Sequence, residues 1–466
     1  MLRGGALTIA WLVVPLAVVE GVVRLVALAP PAAPNPNIWQ PHETLGWAHA
    51  PGSGGAFHSP YGEYVAEVRI NSLGLRGRPA SHDKPPGIVR VLSLADSFGE
   101  AVEVDLDATY DSRLEASLSA SLRRPVEVLN AAVGGWGTDQ ELTYYLNEGY
   151  RYDPDVVLLA FFPGNDLVNN YAPLQLAETW GGVRKPFYAL SPDGELTGPA
   201  EVRPPDATGP RRPEPWLNGV GAWLWRHAAT YRLTVPHLRD VPWLLRTLGP
   251  TGLLGGDGIV RAGFPAIPTV YLSYQAPPDD RFEAAWRLTE ALLGRLREET
   301  ERRGARLAVV VICAREQVYP ELWAETLETY PAMKALQWDL EWQNRRLSSF
   351  LDSAGIPHVD LLPIFRRTAA DRADHGPLYF PRDGHWTPRG HRVAAEALHS
   401  LLLPLLRRDD RTAAAARSPQ DPAPGTRACT KHDPPSRRTS GVRSRVRFTA
   451  QANRNARAEI AGCMKS

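Results

Sequence analysis

Cysteine is nearly missing from this chain, with only Cys313, Cys429 and Cys463 among 466 residues. Their spacing fits no zinc site and supplies no disulfide framework, so neither a structural metal nor cross-links hold the fold. An excess of one charge is missing too. The formal net charge is +1, and residues 407–466 hold 14 of the 52 basic residues against 5 of the 51 acidic ones. The remainder is mildly acidic, which argues against nucleic acid as a partner. Internal repeats are absent. What is present, 44% hydrophobic and 22% charged residues, is the composition of a chain that buries a core rather than staying disordered. The length suits either several average domains or one large α/β domain with insertions.

The one long apolar run is N-terminal. It follows Arg3, spans residues 4–19, and resumes over residues 21–29 with Arg24 as an interruption. Read as one helix of about 26 residues, it is long enough to cross a bilayer with tilt. Glu20 and Arg24 are four apart and can pair on one helix face or snorkel to an interface. Ala27-Leu28-Ala29 has the small-x-small form of a signal cleavage site. Pro30 and the length of the run favour an uncleaved anchor. Residues 1–29 are therefore expected to be a transmembrane anchor or signal, which makes the membrane a partner. The rest of the chain is expected outside the cytoplasm, secreted or periplasmic if the segment is cleaved; the orientation rests on Arg3 and the initiating amine.

Residues 30–63 read as a linker, rich in Pro, Ala and Asn at its start, and residues 64–70 alternate weakly like a strand. Past Pro85-Pro86-Gly87 a regular alternation begins. Strands are expected at 88–94, 126–133, 156–162, 307–312 and 358–361. Between them come helical spacings: Leu114, Leu118 and Leu122; a segment opened by Thr138 and Glu141 in capping-box form and ending near Tyr150; Phe282 through Leu296 closed by Gly304; and about 338–354. Thr387-Pro388 reads as an N-cap followed by proline at the first helical position. The implied fold is α/β: a doubly wound, flavodoxin-like three-layer sandwich around a five-stranded parallel sheet in order 2-1-3-4-5, spanning residues 64–406. Residues 167–278 form an insertion too long for an ordinary loop, carrying Trp180, Trp216, Trp223, Trp225 and Trp243. It reads as a lid over a site or a patch resting on a membrane interface; alternatively its tryptophans pack it onto the core. Residues 407–466 are expected to be a disordered basic tail.

In an open parallel sheet, ligands sit beyond the carboxyl ends of the strands. Those ends carry Ala95-Asp96-Ser97-Phe98-Gly99, Gly134-Gly135-Trp136-Gly137, Gly164-Asn165-Asp166 and Asp383-Gly384-His385-Trp386. A serine hydroxyl becomes a nucleophile when a histidine takes its proton and a carboxylate holds that histidine's tautomer. Ser97, His385 and Asp383 supply such a set. The N–H of Gly135 and the amide of Asn165 are candidate donors to an oxyanion. Each signal alone is commonly a turn or loop; their order along the strand ends is the informative feature.

These four blocks resemble those of the SGNH (GDSL-like) hydrolase superfamily, whose members supply a serine, a glycine, an asparagine and a histidine. Residues 91–99 are similar to its Gly-Asp-Ser block, residues 130–135 to its glycine block, Pro163-Gly164-Asn165-Asp166 to its Gly-x-Asn-Asp block, and Asp383 with His385 to its last. NSLGLRG over residues 71–77 resembles a preface found in membrane-anchored members. Two departures stand out: Ala95 replaces the usual glycine, and Arg382 occupies the commoner aspartate position, so Asp383 lies two before His385. The Asp-x-His-Trp form resembles an acyltransferase-like branch acting on exopolysaccharides. In an extended segment residues two apart share a side, so the pair can still meet.

The resemblance implies a serine esterase that cleaves carboxylic O-acyl bonds through an acyl-Ser97 intermediate, with His385 as base, Asp383 as orienter, Gly135 and Asn165 as the oxyanion hole, and no metal or cofactor. An ester-bearing small molecule, a lipid or an acylated glycan is the expected partner. The alternatives are an O-acyltransferase or deacetylase of envelope polysaccharide, a non-catalytic binding protein, and a metal hydrolase using His385, His391 and His399. The spacing of those three histidines does not set them on one helix face.

Overall fold

Strands that carry bulky apolar side chains on both faces are stable only in a sheet covered on both sides. The computed structural model, which describes residues 2–26, 35–178, 184–202, 216–239, 241–254, 267–371 and 376–416, places five such strands side by side. β1 (Val89–Ala95), β2 (Val126–Asn130), β3 (Val156–Phe161), β4 (Arg306–Val311) and β5 (His358–Asp360) form one sheet in the order 2-1-3-4-5. All pairings are parallel, with Val91 opposite both Val128 and Val156. Every residue of β1 and β3 is buried.

Alternate side chains feed two apolar layers. On one face Val91, Val156 and Val310 meet Leu114 and Leu118 of the helix Tyr110–Leu122, together with Leu398 and Leu402 of the helix Pro388–Ala416. On the other, Leu92, Leu159 and Val309 meet Tyr145 of Thr138–Asn147, Trp286 and Leu292 of Asp280–Arg302, and Leu347 of Trp342–Ser353. Each such fully buried side chain contributes about 1.5–3 kcal/mol. The architecture is α/β with helices on both faces of a five-stranded parallel sheet, and it carries the site at the carboxyl edge.

Several local readings change. The second strand stops at Asn130 rather than 133, because the chain turns away at Gly135, whose φ is +76°. Thr138 is not an N-cap: it is the first helical residue, and the Gly137 N–H is taken by the Gln140 side chain at 3.3 Å. Thr387 does cap its helix, accepting from the Gly390 N–H at 3.3 Å. That last helix runs to Ala416 and takes in the first ten residues of the expected tail, while residues 417–466 lie outside the described residues.

The segment expected as a linker is structured from Trp39 onward. Trp39–His42 pairs with Gly46–His49, and Gly54–His58 with Val65–Arg69, as two antiparallel hairpins. Aromatic burial explains the order: Trp47 donates to Gly134 O at 2.9 Å, and Trp136 donates back to Trp47 O at 3.0 Å.

The insertion contains a hairpin, Pro186–Leu190 with Leu196–Glu201, and the helices Asn218–His227, Ala229–Arg239 and Pro242–Leu248. Trp180 lies outside the described residues. Trp216, Trp223 and Trp243 are 60–78% exposed, so these three do not pack the insertion onto the core. The N-terminal helix Leu2–Leu25 docks against it: Glu20 accepts from the backbone N–H groups of Ala229 and Thr230 at 2.7 and 2.8 Å and pairs with Arg24 at 2.7 Å. Among the described residues no helix is long and apolar enough to cross a membrane.

Candidate active site

At the end of β1 a carboxylate opens a short helix. Asp96 Oδ1 accepts from the Phe98 N–H at 2.9 Å, which starts Ser97–Glu100 and sets Ser97 at its first position. Gly99 permits this turn, since a Cβ there would fall 2.4 Å from that of Ala95 and 2.8 Å from that of Ala132. Asn130 ties the neighbouring strand end to it, donating to Gly99 O at 2.7 Å and accepting from the Ala132 N–H at 3.0 Å. After β3, Asp166 accepts from the Phe162 N–H at 2.8 Å and shapes the loop that presents Asn165. The Asn165 amide then donates to Asp96 Oδ2 at 2.9 Å. One of its two N–H groups is therefore committed beside Ser97.

The Asp383-to-His385 turn reaches back over the sheet to this point. Gly384, at φ +90°, lets the turn close, with the Phe380 N–H on His385 O at 2.8 Å and the Gly384 N–H on Phe380 O at 3.0 Å. His385 Nε2 lies 2.8 Å from Ser97 Oγ, and Nδ1 lies 2.6 Å from Asp383 Oδ1. The tautomer that satisfies both contacts carries its proton on Nδ1 and accepts the serine proton at Nε2. Phe98 packs against both the His385 and Trp386 rings, at 5.1 and 5.0 Å, and fixes the imidazole plane.

The loop of the second hairpin, between His58 and Val65, clamps the same turn. Glu63 accepts from the Arg382 and Asp383 N–H groups at 2.8 and 3.0 Å, and the Tyr64 hydroxyl donates to Asp383 Oδ2 at 3.0 Å. From the insertion, His237 meets the Arg382 guanidinium at 2.9 Å. A second carboxylate is present as well: Glu103 Oε1 lies 3.3 Å from His385 Nδ1. Neither Glu63 and Tyr64 nor Glu103 was marked as a site residue by sequence. Glu103 sits in a loop with no motif, and Tyr64 was read as the start of the weak strand over residues 64–70.

Burial alone pushes the His385 imidazole down, but the charges of Glu103 and Asp383, with the hydrogen bond to Asp383, hold it well above its ordinary value. Burial pushes Asp383 up, and the facing imidazole overrides this to keep it below the usual carboxylate value. Burial pushes the Glu103 carboxyl up to about 7, against the lowering pull of the facing imidazole and of a hydrogen bond from its own backbone N–H.

The structure thus brings Ser97, His385 and Asp383 into one relay. Gly135 follows the β2 end, its carbonyl held by the Asn169 amide at 3.2 Å. His391 and His399 do not join His385: His391 Nδ1 accepts from the Tyr110 N–H at 3.3 Å, and His399 faces Ser121 Oγ at 2.8 Å. Among the described residues, Glu103, Asp383 and His385 are the set whose donor atoms, within 4.8 Å of one another, could hold an ion.

No curated protein matches this chain. Similar solved structures include an acetyl xylan esterase, AlAXEase, at 11% identity, covering 67% of this chain and 98% of that one with a TM-score of 0.33. A GDSL-like lipase from Bacteroides thetaiotaomicron is 10% identical, covering 69% of this chain and 88% of that one with a TM-score of 0.28. An acetyl xylan esterase from Geobacillus stearothermophilus is 11% identical, covering 67% and 94% with a TM-score of 0.32. Residues 271–459 match the family described as SGNH hydrolase-like domain, acetyltransferase AlgX. That stretch contains the Asp383-to-His385 turn and begins well after Ser97 and Asn165.

Proposed function

We propose that the protein is a serine esterase acting on carboxylic O-acyl bonds through an acyl-Ser97 intermediate. The observation that carries this reading is the continuous relay from Ser97 Oγ through His385 to Asp383, at 2.8 and 2.6 Å. Ser97 Oγ attacks the ester carbonyl carbon as its proton passes to His385 Nε2, and Asp383 stabilises the imidazolium that forms. The tetrahedral oxyanion is met by the Gly135 N–H and the second N–H of Asn165. His385 returns the proton to the departing alkoxide, which leaves acyl-Ser97. Water then attacks the acyl carbon with its proton taken by His385, and the serine is regenerated. No step draws on a metal or cofactor.

A second reading keeps the intermediate and replaces water with a sugar hydroxyl, which makes the protein an O-acyltransferase of envelope polysaccharide. The match to a family described by an acetyltransferase favours it. An acylated glycan suits both readings as donor or product, and the deacetylase reading is the hydrolytic case of the same substrate.

A location at the membrane, with the catalytic domain outside the cytoplasm, belongs to the same proposal. In its support, Leu16, Val18 and Val22 of the N-terminal helix are exposed, as are Trp216, Val220 and Trp223 on the insertion docked to it. Val220 and Trp223 share one helix face. A stripe of this kind suits an interface of lipid headgroups.

A fluorophosphonate probe tests the central claim on the full chain. Wild-type protein becomes labelled at Ser97 and Ser97→Ala does not. Folded wild-type protein that takes no label favours the non-catalytic binding reading. Turnover of 4-nitrophenyl acetate with and without an oligosaccharide acceptor then separates the two enzymes: acetate alone marks the esterase, and acetylated sugar marks the transferase.

A further inference from the structure

We propose that Glu103 is a positioning residue for His385, a second carboxylate that shares the Nδ1 side of the imidazole with Asp383. This rests on the reading of His385 as the base of the proposed reaction.

The geometry is specific. Nδ1 carries one proton and faces two acceptors, Asp383 Oδ1 at 2.6 Å and Glu103 Oε1 at 3.3 Å. The shorter contact takes the hydrogen bond, and Glu103 acts through its charge and as a reserve acceptor. Its other oxygen, Oε2, is buried with no hydrogen-bond partner among the described residues. A carboxylate held this way is costly to bury unless a cation faces it. The imidazolium formed when Ser97 loses its proton is such a cation.

Local structure holds Glu103 in place. Ala101 turns the chain at φ +51°, and the buried Arg76 guanidinium grips the carbonyls of Glu100, Ala101 and Val104, on either side of Glu103. The charged and titratable groups that act on Glu103 are His385, Asp383 and Glu100, while Arg76 and Tyr64 feel its charge in turn. Among these, His385 changes charge during the reaction. Glu103 is raised to about 7, so its ionisation falls in the range where the imidazole must work. When ionised it makes His385 more basic and steadies the imidazolium; when protonated it withdraws that support.

The test uses the full chain with Glu103→Gln, Asp383→Asn, the double variant, and Glu103→Met, an apolar side chain of similar volume that keeps the test readable where Glu103→Gln does not fold. Nuclear magnetic resonance follows the His385 imidazole titration. We expect it to move down by about one unit or more in Glu103→Gln and Glu103→Met, since removing a facing charge favours the neutral ring. In ester turnover, the acid limb of the kcat/KM profile should move down by the same amount. Asp383→Asn alone should lose about 100-fold in kcat and the double variant about 10,000-fold, the loss expected when no carboxylate orients the histidine. An unchanged His385 titration overturns the proposal, as does a double variant no slower than Asp383→Asn. Wild-type protein that neither labels at Ser97 nor turns over ester sinks the esterase reading instead, and the titration still reports on Glu103.

Discussion

The Tyr64 hydroxyl donates to Asp383 Oδ2 at 3.0 Å, across 319 positions of sequence. Asp383 thereby has one oxygen on His385 and the other on a residue of the N-terminal hairpins. Tyr64→Phe keeps the ring contact with Phe380, 5.0 Å between centroids, and removes only this hydrogen bond. A bond to a charged acceptor is worth about 1.5–3 kcal/mol. We expect kcat to fall about 10-fold, with thermal denaturation confirming that the variant remains folded. Unchanged kcat would separate Tyr64 from the relay.

The acid limb of the activity profile follows from the electrostatics of the imidazole. Only neutral His385 accepts the Ser97 proton, and the two facing carboxylates hold it above its ordinary value. Activity should therefore rise with pH, with its acid limb above that of an unperturbed histidine. The stability linkage runs the other way. A raised histidine contributes stability that is present below its unfolded pKa and lost as pH climbs through its folded one. The protein should thus be most active in the range where this contribution is fading, which pH profiles of kcat/KM and of Tm measured together will show.

Asp111 offers a cleaner reading of the same linkage. Burial pushes it up to about 7, and one of its oxygens lacks a partner among the described residues, while the other accepts from Asn130 at 2.7 Å. A carboxyl raised in the folded state stabilises below its unfolded pKa and loses that contribution as pH rises through about 7. Asp111→Asn keeps an acceptor for Asn130 and removes the titration. Its Tm should match wild type below about pH 4 and exceed it near pH 8, by an amount equivalent to a few kcal/mol. Equal melting at both values would show that Asp111 does not titrate in this range.

Chelation should leave activity unchanged. His391 and His399 are engaged by Tyr110 and Ser121 rather than turned toward His385. Both His385 nitrogens are already directed at Ser97 and Asp383. Loss of turnover in a chelator, restored by a divalent ion, would restore the metal-hydrolase alternative.

The strand ends were legible in sequence because each block binds its own local backbone: Asp96 caps its helix, Asn130 grips Ala132, and Asp166 holds Phe162. Such short-range demands leave a readable spacing. The five strands were legible from bulk and burial, and their order 2-1-3-4-5 is the one expected from the flavodoxin-like fold. Glu103, Glu63 and Tyr64 were not, because what they do depends on a turn some 280–320 positions away. The hairpins before residue 63 were read as linker for a related reason. Their prolines and glycines look irregular in sequence, and their order comes from long-range contacts such as those of Trp47 with Gly134 and Trp136 and of Trp39 with Glu100. Thr138 lies one position inside the helix, because Gly137 is the N-cap and Gln140 accepts from its N–H.

The helix Ala229–Arg239 is fastened at its first turn to Glu20 and near its last to Arg382, through His237. Eleven helical residues make a strut about 16 Å long. A tug on the N-terminal segment is therefore delivered, by one stiff rod, to the residue adjoining Asp383.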